Sequence, residues 1–260
     1  MRKSSRPRFF SRVFKDHFSG HAAQYAKFRP VYPDELFDWL AREAPGRARA
    51  VDAATGNGQA AVALASRFDS VIALDASAPQ VANATLHERV EYRVASAEET
   101  GIEDASVDLV TVAQALHWLD HGRFFAEASR ILRPRGLLAV WGYSNATVSA
   151  DFDDEFIDFY RRILGPYWPP ERAIVEARYA PVVLPFDEIA APPFALEQDM
   201  TGAGFAGYVG TWSAVQRYRH AVGRDPLPLI QPAIERWWPT PDTIHRVRWP
   251  LFLRVGRKPH

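Results

Sequence analysis

A chain of 260 residues, 47% of them hydrophobic, has room for one α/β domain with an insertion and ample material for a core. Its 31 basic and 31 acidic residues balance, so no net field draws it to nucleic acid or an anionic membrane. It contains no cysteine, which excludes disulfide frameworks, thiolate metal sites and a cysteine nucleophile, and no apolar run approaches the roughly 20 residues of a membrane span.

Met1 to Lys15 is rich in Arg, Lys and Ser and lacks acids, which suits a frayed basic terminus, a presequence or a phosphate-contacting arm. Residues 1–17 are read as a tail and 18–260 as one domain, with the cytoplasm as the expected compartment. Phe18 to Arg29 carries apolar residues near helical spacing, and Pro33 with Asp34 and Glu35 opens a second helix. Arg49 to Ala54 reads as strand one, Gly58 to Arg67 as helix, Ser70 to Asp75 as strand two and Ala78 to Leu86 as helix. Val90 to Val94 and Val107 to Ala113 are strands three and four. Asp120 caps a helix whose Phe124, Phe125, Ala128, Ile131 and Leu132 share one face; Arg133 to Gly136 ends it, and Leu137 to Trp141 is strand five. This alternation predicts a doubly wound, mostly parallel seven-stranded α/β sheet.

Beyond Tyr143 the rhythm changes. Residues 150–193, rich in aromatics and prolines, are expected to form part of a substrate lid after strand five, with a helix near Asp153 to Leu164. Phe194 to Met200 and Ile244 to Val255 read as strands. Trp249-Pro250 inside the second suggests an edge position or a bulge, because proline cannot donate to a ladder. Helices near Phe205 to Val222 and Leu227 to Trp238 lie between them.

The chemistry concentrates where the first strand meets its helix. Val51-Asp-Ala-Ala-Thr-Gly56-Asn-Gly58 places a carboxylate at a strand end and glycines in the turn that follows; about 20 residues on, a second strand ends in Asp75. Asp75 can accept hydrogen bonds from two ribose hydroxyls, so an adenosine-containing cofactor is expected. Gly56-Asn-Gly58-Gln-Ala-Ala61 also satisfies the dinucleotide fingerprint, which keeps NAD open. Asp52 would oppose a pyrophosphate but suits the ammonium and sulfonium of S-adenosylmethionine.

Further stretches are Phe18-Ser-Gly-His-Ala-Ala-Gln-Tyr-Ala-Lys-Phe-Arg-Pro-Val-Tyr-Pro33, Ala113-Gln-Ala-Leu-His-Trp-Leu-Asp120, Arg130-Ile-Leu-Arg-Pro-Arg-Gly-Leu-Leu-Ala-Val-Trp-Gly-Tyr143 and Tyr208-Val-Gly-Thr-Trp-Ser213. With the glycine motif they resemble the class I S-adenosylmethionine-dependent methyltransferases, in particular the small-molecule type 11 group that includes trans-aconitate methyltransferase-like proteins. The resemblance is weakest between 150 and 200. Ala54 and Thr55 stand where the group's commoner pattern has Gly and Cys, which implies a stiffer loop.

Carried over, the resemblance implies a Rossmann-like fold with S-adenosylmethionine as cofactor. Asp52, Gly56 and Gly58 would line its methionine end, Tyr25 and Arg29 would cover the methionyl group, and Asp75 would hold the ribose. Ala97 and Glu98 would flank the adenine, and Gln114 and Ala115 would close the floor. The acceptor is expected to be a small molecule methylated on a carboxylate or hydroxyl oxygen, with no nucleic acid or membrane partner, and monomer and homodimer both stay open. His117 and Trp118 fall at the end of strand four, where open sheets place ligands. His117 suits a proton acceptor for a hydroxyl or amine, or equally a hydrogen-bonded wall residue. Tyr143, Trp168, Tyr208 and Trp212 are expected to line the acceptor's wall. Arg217 and Arg219 suit either an acidic ligand or a solvated helix face. The histidines show no metal spacing, so no metal is expected. A non-catalytic cofactor-binding protein is the alternative function, and an NAD-linked reductase the third.

Overall fold

The computed structural model describes residues 28–260; the basic tail, Tyr25 and most of the first expected helix lie outside these residues. Helix α1 (Asp34–Glu43) follows Pro33, carries two acids in its first turn and Arg42 in its last, and buries Leu36, Phe37 and Leu40. That charge order complements the helix dipole. The remaining elements run β1 (Arg49–Ala53), α2 (Gln59–Ala65), β2 (Ser70–Asp75), α3 (Ala78–Ala82), β3 (Val90–Val94), β4 (Val107–Ala113), α4 (His121–Ile131) and β5 (Leu132–Tyr143). After them come α5 (Ala150–Asp158), α6 (Arg172–Glu176), β6 (Asp187–Ile189), β7 (Phe194–Met200), α7 (Gly202–Gly210), α8 (Ser213–Val222), α9 (Gln231–Trp237) and β8 (His245–Arg257).

The sheet order is β3-β2-β1-β4-β5-β8-β6, with β7 also paired to β8. The first five strands are parallel and β8 runs antiparallel to β5. Both β6 and β7 flank the same side of β8, so the sheet is seven strands wide but built from eight segments. Strands β1, β2 and β4 are almost wholly buried, as expected for parallel strands covered on both faces. Alternate residues feed two cores. Val51, Leu74, Val110 and Leu138 pack on one face; Ala50, Val71, Leu109 and Leu137 pack on the other.

A third core lies in a helical cap and is predominantly aromatic. Phe152 and Phe156 of α5, Phe205 and Tyr208 of α7, and Trp212, Trp238 and Trp249 meet there in edge and stacked contacts. The cap draws on two chain segments, one between β5 and β6 and one between β7 and β8. Of the segment 150–193, expected as part of a lid, Phe152 to Leu164 join the cap, whereas Val175, Tyr179, Val182, Leu184 and Phe186 pack against the sheet.

Several boundaries move. The helix expected at Ala78 to Leu86 stops at Ala82, and that expected to Leu164 gives way to a π-helical turn at Phe159–Ile163. The long helix expected at Phe205 to Val222 is two, α7 and α8. Strand β5 begins directly after α4; its pairing with β4 skips from Leu132 to Leu137, and Arg133 in the skipped stretch bonds buried Asp108 at 2.8 Å. Pro250 is neither at an edge nor in a bulge. Strand β8 has partners on both sides, and Pro250 pairs Ala195 in unbroken register. The proline is tolerated because pairing with β5 ends one residue away, at Leu251; its carbonyl accepts the Ser144 N–H at 2.8 Å.

Candidate active site at the strand ends and beneath the cap

The sheet reverses its winding between β1 and β4, and the C-terminal ends of these strands open a crevice. At the end of β1 the Asp52 carboxylate is buried, accepting from Thr55 Oγ1 at 2.6 Å and Thr111 Oγ1 at 2.7 Å. Burial pushes its pKa up to about 6 against the two hydroxyl donors, and the negative charge of Asp75 adds to the rise. Thr55, which departs from the group's usual residue, therefore clamps this acid.

Ala54, Gly56 and Gly58 all take left-handed backbone conformations, with φ of 55°, 58° and 85°. A Cβ on Gly56 would meet nothing within 4 Å, so its backbone faces open space. A Cβ on Gly58 would lie 2.1 Å from Tyr92 Oη, whose hydroxyl reaches across to the Thr85 carbonyl at 2.6 Å. Only glycine fits there. Asp75, at the tip of β2, accepts the N–H of Gly56 through one oxygen and that of Ser77 through the other, each at 2.8 Å. The second acid thus braces the glycine turn. Ala97 is buried in the core, and Glu98 ties the β3 loop to the start of α4 by accepting from Asp120 N at 2.9 Å.

Beyond β4 and β5, a pocket opens between the strand ends and the cap. His117, Trp118, Tyr143, Trp168, Tyr208 and Trp212, all expected at the acceptor wall, line it together. Gln114 joins them; its φ of 56° turns it out of the strand. Ala115 lies buried beneath. Arg29, expected over the methionyl group, is shared between the two regions. Its neighbour Pro30 is held by Gln59 Nε2 at 3.0 Å, at the start of α2, while its guanidinium donates to Tyr143 Oη at 2.6 Å and lies 5.5 Å from the Tyr208 ring centre.

The sequence reading missed Arg172, Ser144, Asn145 and Ser213, which also line the pocket. The Arg172 guanidinium stacks 4.9 Å over Trp168 and donates to Tyr160 Oη at 2.9 Å. Pro169 and Pro170 stand between Trp168 and Arg172, so no helical spacing links the two in the sequence. No Asp or Glu is among the described residues lining this pocket. His117 is held neutral: burial, then the charges of Arg172 and His121, depress its pKa to about 3. Burial pushes the Tyr208 phenol up, keeping it protonated. Arg219 lies outside the pocket and pairs with Asp225 at 2.8 Å; Arg217 lines a separate surface groove with His220.

Known proteins resemble this chain in sequence and fold. A family profile described as a methyltransferase domain matches residues 51–140. A candidate methyltransferase of Dictyostelium discoideum is 32% identical over 252 residues, spanning 94% of this chain and 96% of that one. A solved structure of a candidate type II methyltransferase from Anaeromyxobacter dehalogenans superposes with a TM-score of 0.85 at 44% identity, covering 90% of this chain and 100% of that one. An uncharacterised methyltransferase of Mycobacterium bovis is 40% identical over 128 residues, about half of each chain (48% and 51%). Near-complete overlap with the first two extends the likeness beyond the strand-end crevice to the cap, and the chain belongs to the type 11 group of class I S-adenosylmethionine-dependent methyltransferases.

Proposed function

We propose that the acceptor is a small organic acid, methylated on a carboxylate oxygen to give a methyl ester. One observation carries this reading: among the described residues lining the acceptor pocket are two arginines and several neutral donors, and no carboxylate. Arg29 and Arg172 supply charge, and Gln114, Asn145 and the Tyr208 hydroxyl supply neutral hydrogen-bond donors. A hydroxyl acceptor would need a base, and the titratable histidine here is neutral with a pKa near 3. A carboxylate needs none.

The strand-end residues suit the cofactor. The open backbone at Gly56 admits a close ligand, the buried Asp52 carboxylate matches a cationic methionyl end, and Asp75 at the tip of β2 matches a ribose diol. When bound, the cofactor supplies an electrophilic methyl group from its sulfonium. The protein's part is to orient and exclude water. Arg29 and Arg172 hold the acid, and the aromatic walls of Tyr143, Trp168 and Trp212 keep the pocket dry, so the reacting oxygen is aligned rather than activated.

A panel of small carboxylic acids, phenols and amines, assayed for release of S-adenosylhomocysteine, tests the proposal. Turnover confined to acids is expected. Turnover of phenols or amines overturns it, and cofactor binding without any turnover favours a non-catalytic role.

A further inference from the structure

Behind His117 stands a residue that does not itself line the pocket. Tyr179 is fully buried, yet it hydrogen-bonds His117 Nδ1 through its hydroxyl at 3.2 Å. It arrives there through an unusual turn. Arg178 and Tyr179, consecutive and neither of them glycine, have φ of 54° and 58°, a left-handed conformation that side chains disfavour. The turn is held from β8: Arg254 donates to the carbonyls of Tyr179 and Val182 and pairs with Glu188, while Phe252 packs edge-on to the Tyr179 ring at 5.2 Å.

A phenol has one proton to donate. Among the described residues His117 Nδ1 is the one hydrogen-bond partner of the buried Tyr179 hydroxyl, so a phenol proton turned elsewhere would be buried without an acceptor. The phenol proton is therefore directed at His117 Nδ1, which must present its lone pair. His121 Nε2 meets the Leu116 carbonyl at 3.0 Å, so that oxygen is engaged elsewhere. In a neutral imidazole the remaining proton then sits on Nε2, on the opposite edge of a ring that lines the pocket.

We infer that Tyr179 is a positioning residue that locks His117 in the Nε2–H tautomer, making the histidine a hydrogen-bond donor to the acceptor rather than a base. The donor role rests on the carboxylate reading above; the tautomer lock does not. A hydrogen bond from Nε2–H to the oxygen not being methylated would orient the carboxylate while leaving the other oxygen to react.

The full chain labelled with 15N-histidine tests this by two-bond 15N–1H correlation, with His117→Gln assigning the signal. The expected pattern is a protonated Nε2 and an unprotonated Nδ1 in the parent, with Nδ1–H gaining population in Tyr179→Phe. A protonated Nδ1 in the parent, or no change in the variant, overturns the lock. Acetate serves as the carboxylate probe, with chloride at equal ionic strength as control. Movement of the Nε2–H signal by acetate alone supports the donor role, and its absence with the lock intact refutes that role and leaves the lock standing. Should Tyr179→Phe fail to fold, His117→Gln and His117→Asn decide through acceptor KM. Gln, with an amide donor near the Nε2 position, should raise KM less than Asn, which should raise it roughly tenfold or more. Equal losses overturn the proposal.

Discussion

The strand-end crevice, proposed for the cofactor, and the pocket beneath the cap, proposed for the acceptor, lie side by side but are built differently. The crevice is made largely of backbone: a left-handed turn at Ala54, Gly56 and Gly58, braced by Asp75 through two N–H bonds. The pocket is made of long side chains delivered by remote segments, as in the Arg29–Tyr143 contact across 114 residues. A backbone site tolerates little change in shape, because Gly58 has no room for a side chain and both glycines hold left-handed backbone. A side-chain site can be recut for another acceptor one residue at a time, which fits a shared cofactor half and a pocket tuned to its substrate.

This contrast is sharpest at Gly58. In Gly58→Ala the methyl group meets Tyr92 Oη and the backbone holds a φ of 85°. Strain and overpacking together should cost about 2–5 kcal/mol in stability or cofactor affinity. Adding Tyr92→Ala should recover the steric part, read by denaturation and calorimetry; a fully additive double variant would refute the close approach. On the pocket side, Arg172→Met should raise acceptor KM by about 10- to 100-fold, the loss of a charge-assisted contact of roughly 1.5–3 kcal/mol, and leave cofactor Kd unchanged. A shift in both would show that the two regions are coupled.

Asp75→Ala should weaken S-adenosylmethionine binding by about 1–3 kcal/mol without altering acceptor specificity. Unchanged calorimetric affinity would remove the ribose from Asp75. The smallest effect is a pH dependence. Asp52 has its pKa raised to about 6, so its protonated form is favoured in the apo fold; that contribution to stability is present below the ordinary value of 3.8 and is lost as pH rises through 6. A cationic cofactor favours the ionised form instead. Affinity should therefore fall as pH drops through 6, with proton release on binding near that pH. Calorimetry in buffers of different ionisation enthalpy checks this, and a flat profile would place Asp52 away from the cation.

Legibility in the sequence followed the same division. Ser70 to Asp75, Val90 to Val94, Val107 to Ala113 and Phe194 to Met200 are found with the limits expected, because short β-branched and apolar runs bounded by turn residues leave little freedom in register. The glycine turn is a local motif, so its geometry follows from neighbouring residues. Pro250 misled because a missing N–H matters only where a partner strand needs it, and pairing with β5 ends beside it. Arg172 was not legible because its place depends on how α6 packs against the turn at Leu116–Trp118, which no local periodicity encodes. Arg178 and Tyr179 were equally silent, since their left-handed backbone is imposed from β8.

The proposed acceptor is a carboxylate, received by a pocket of cations and neutral donors. The most direct measurement uses methyl-labelled S-adenosylmethionine with the best acid from the acceptor panel and, in parallel, its primary amide, followed by alkaline treatment of the products. Labelled methanol released from the acid's product, with no product from the amide, is the predicted result. A base-stable methyl group on the acid's product, or equal methylation of the amide, would contradict it.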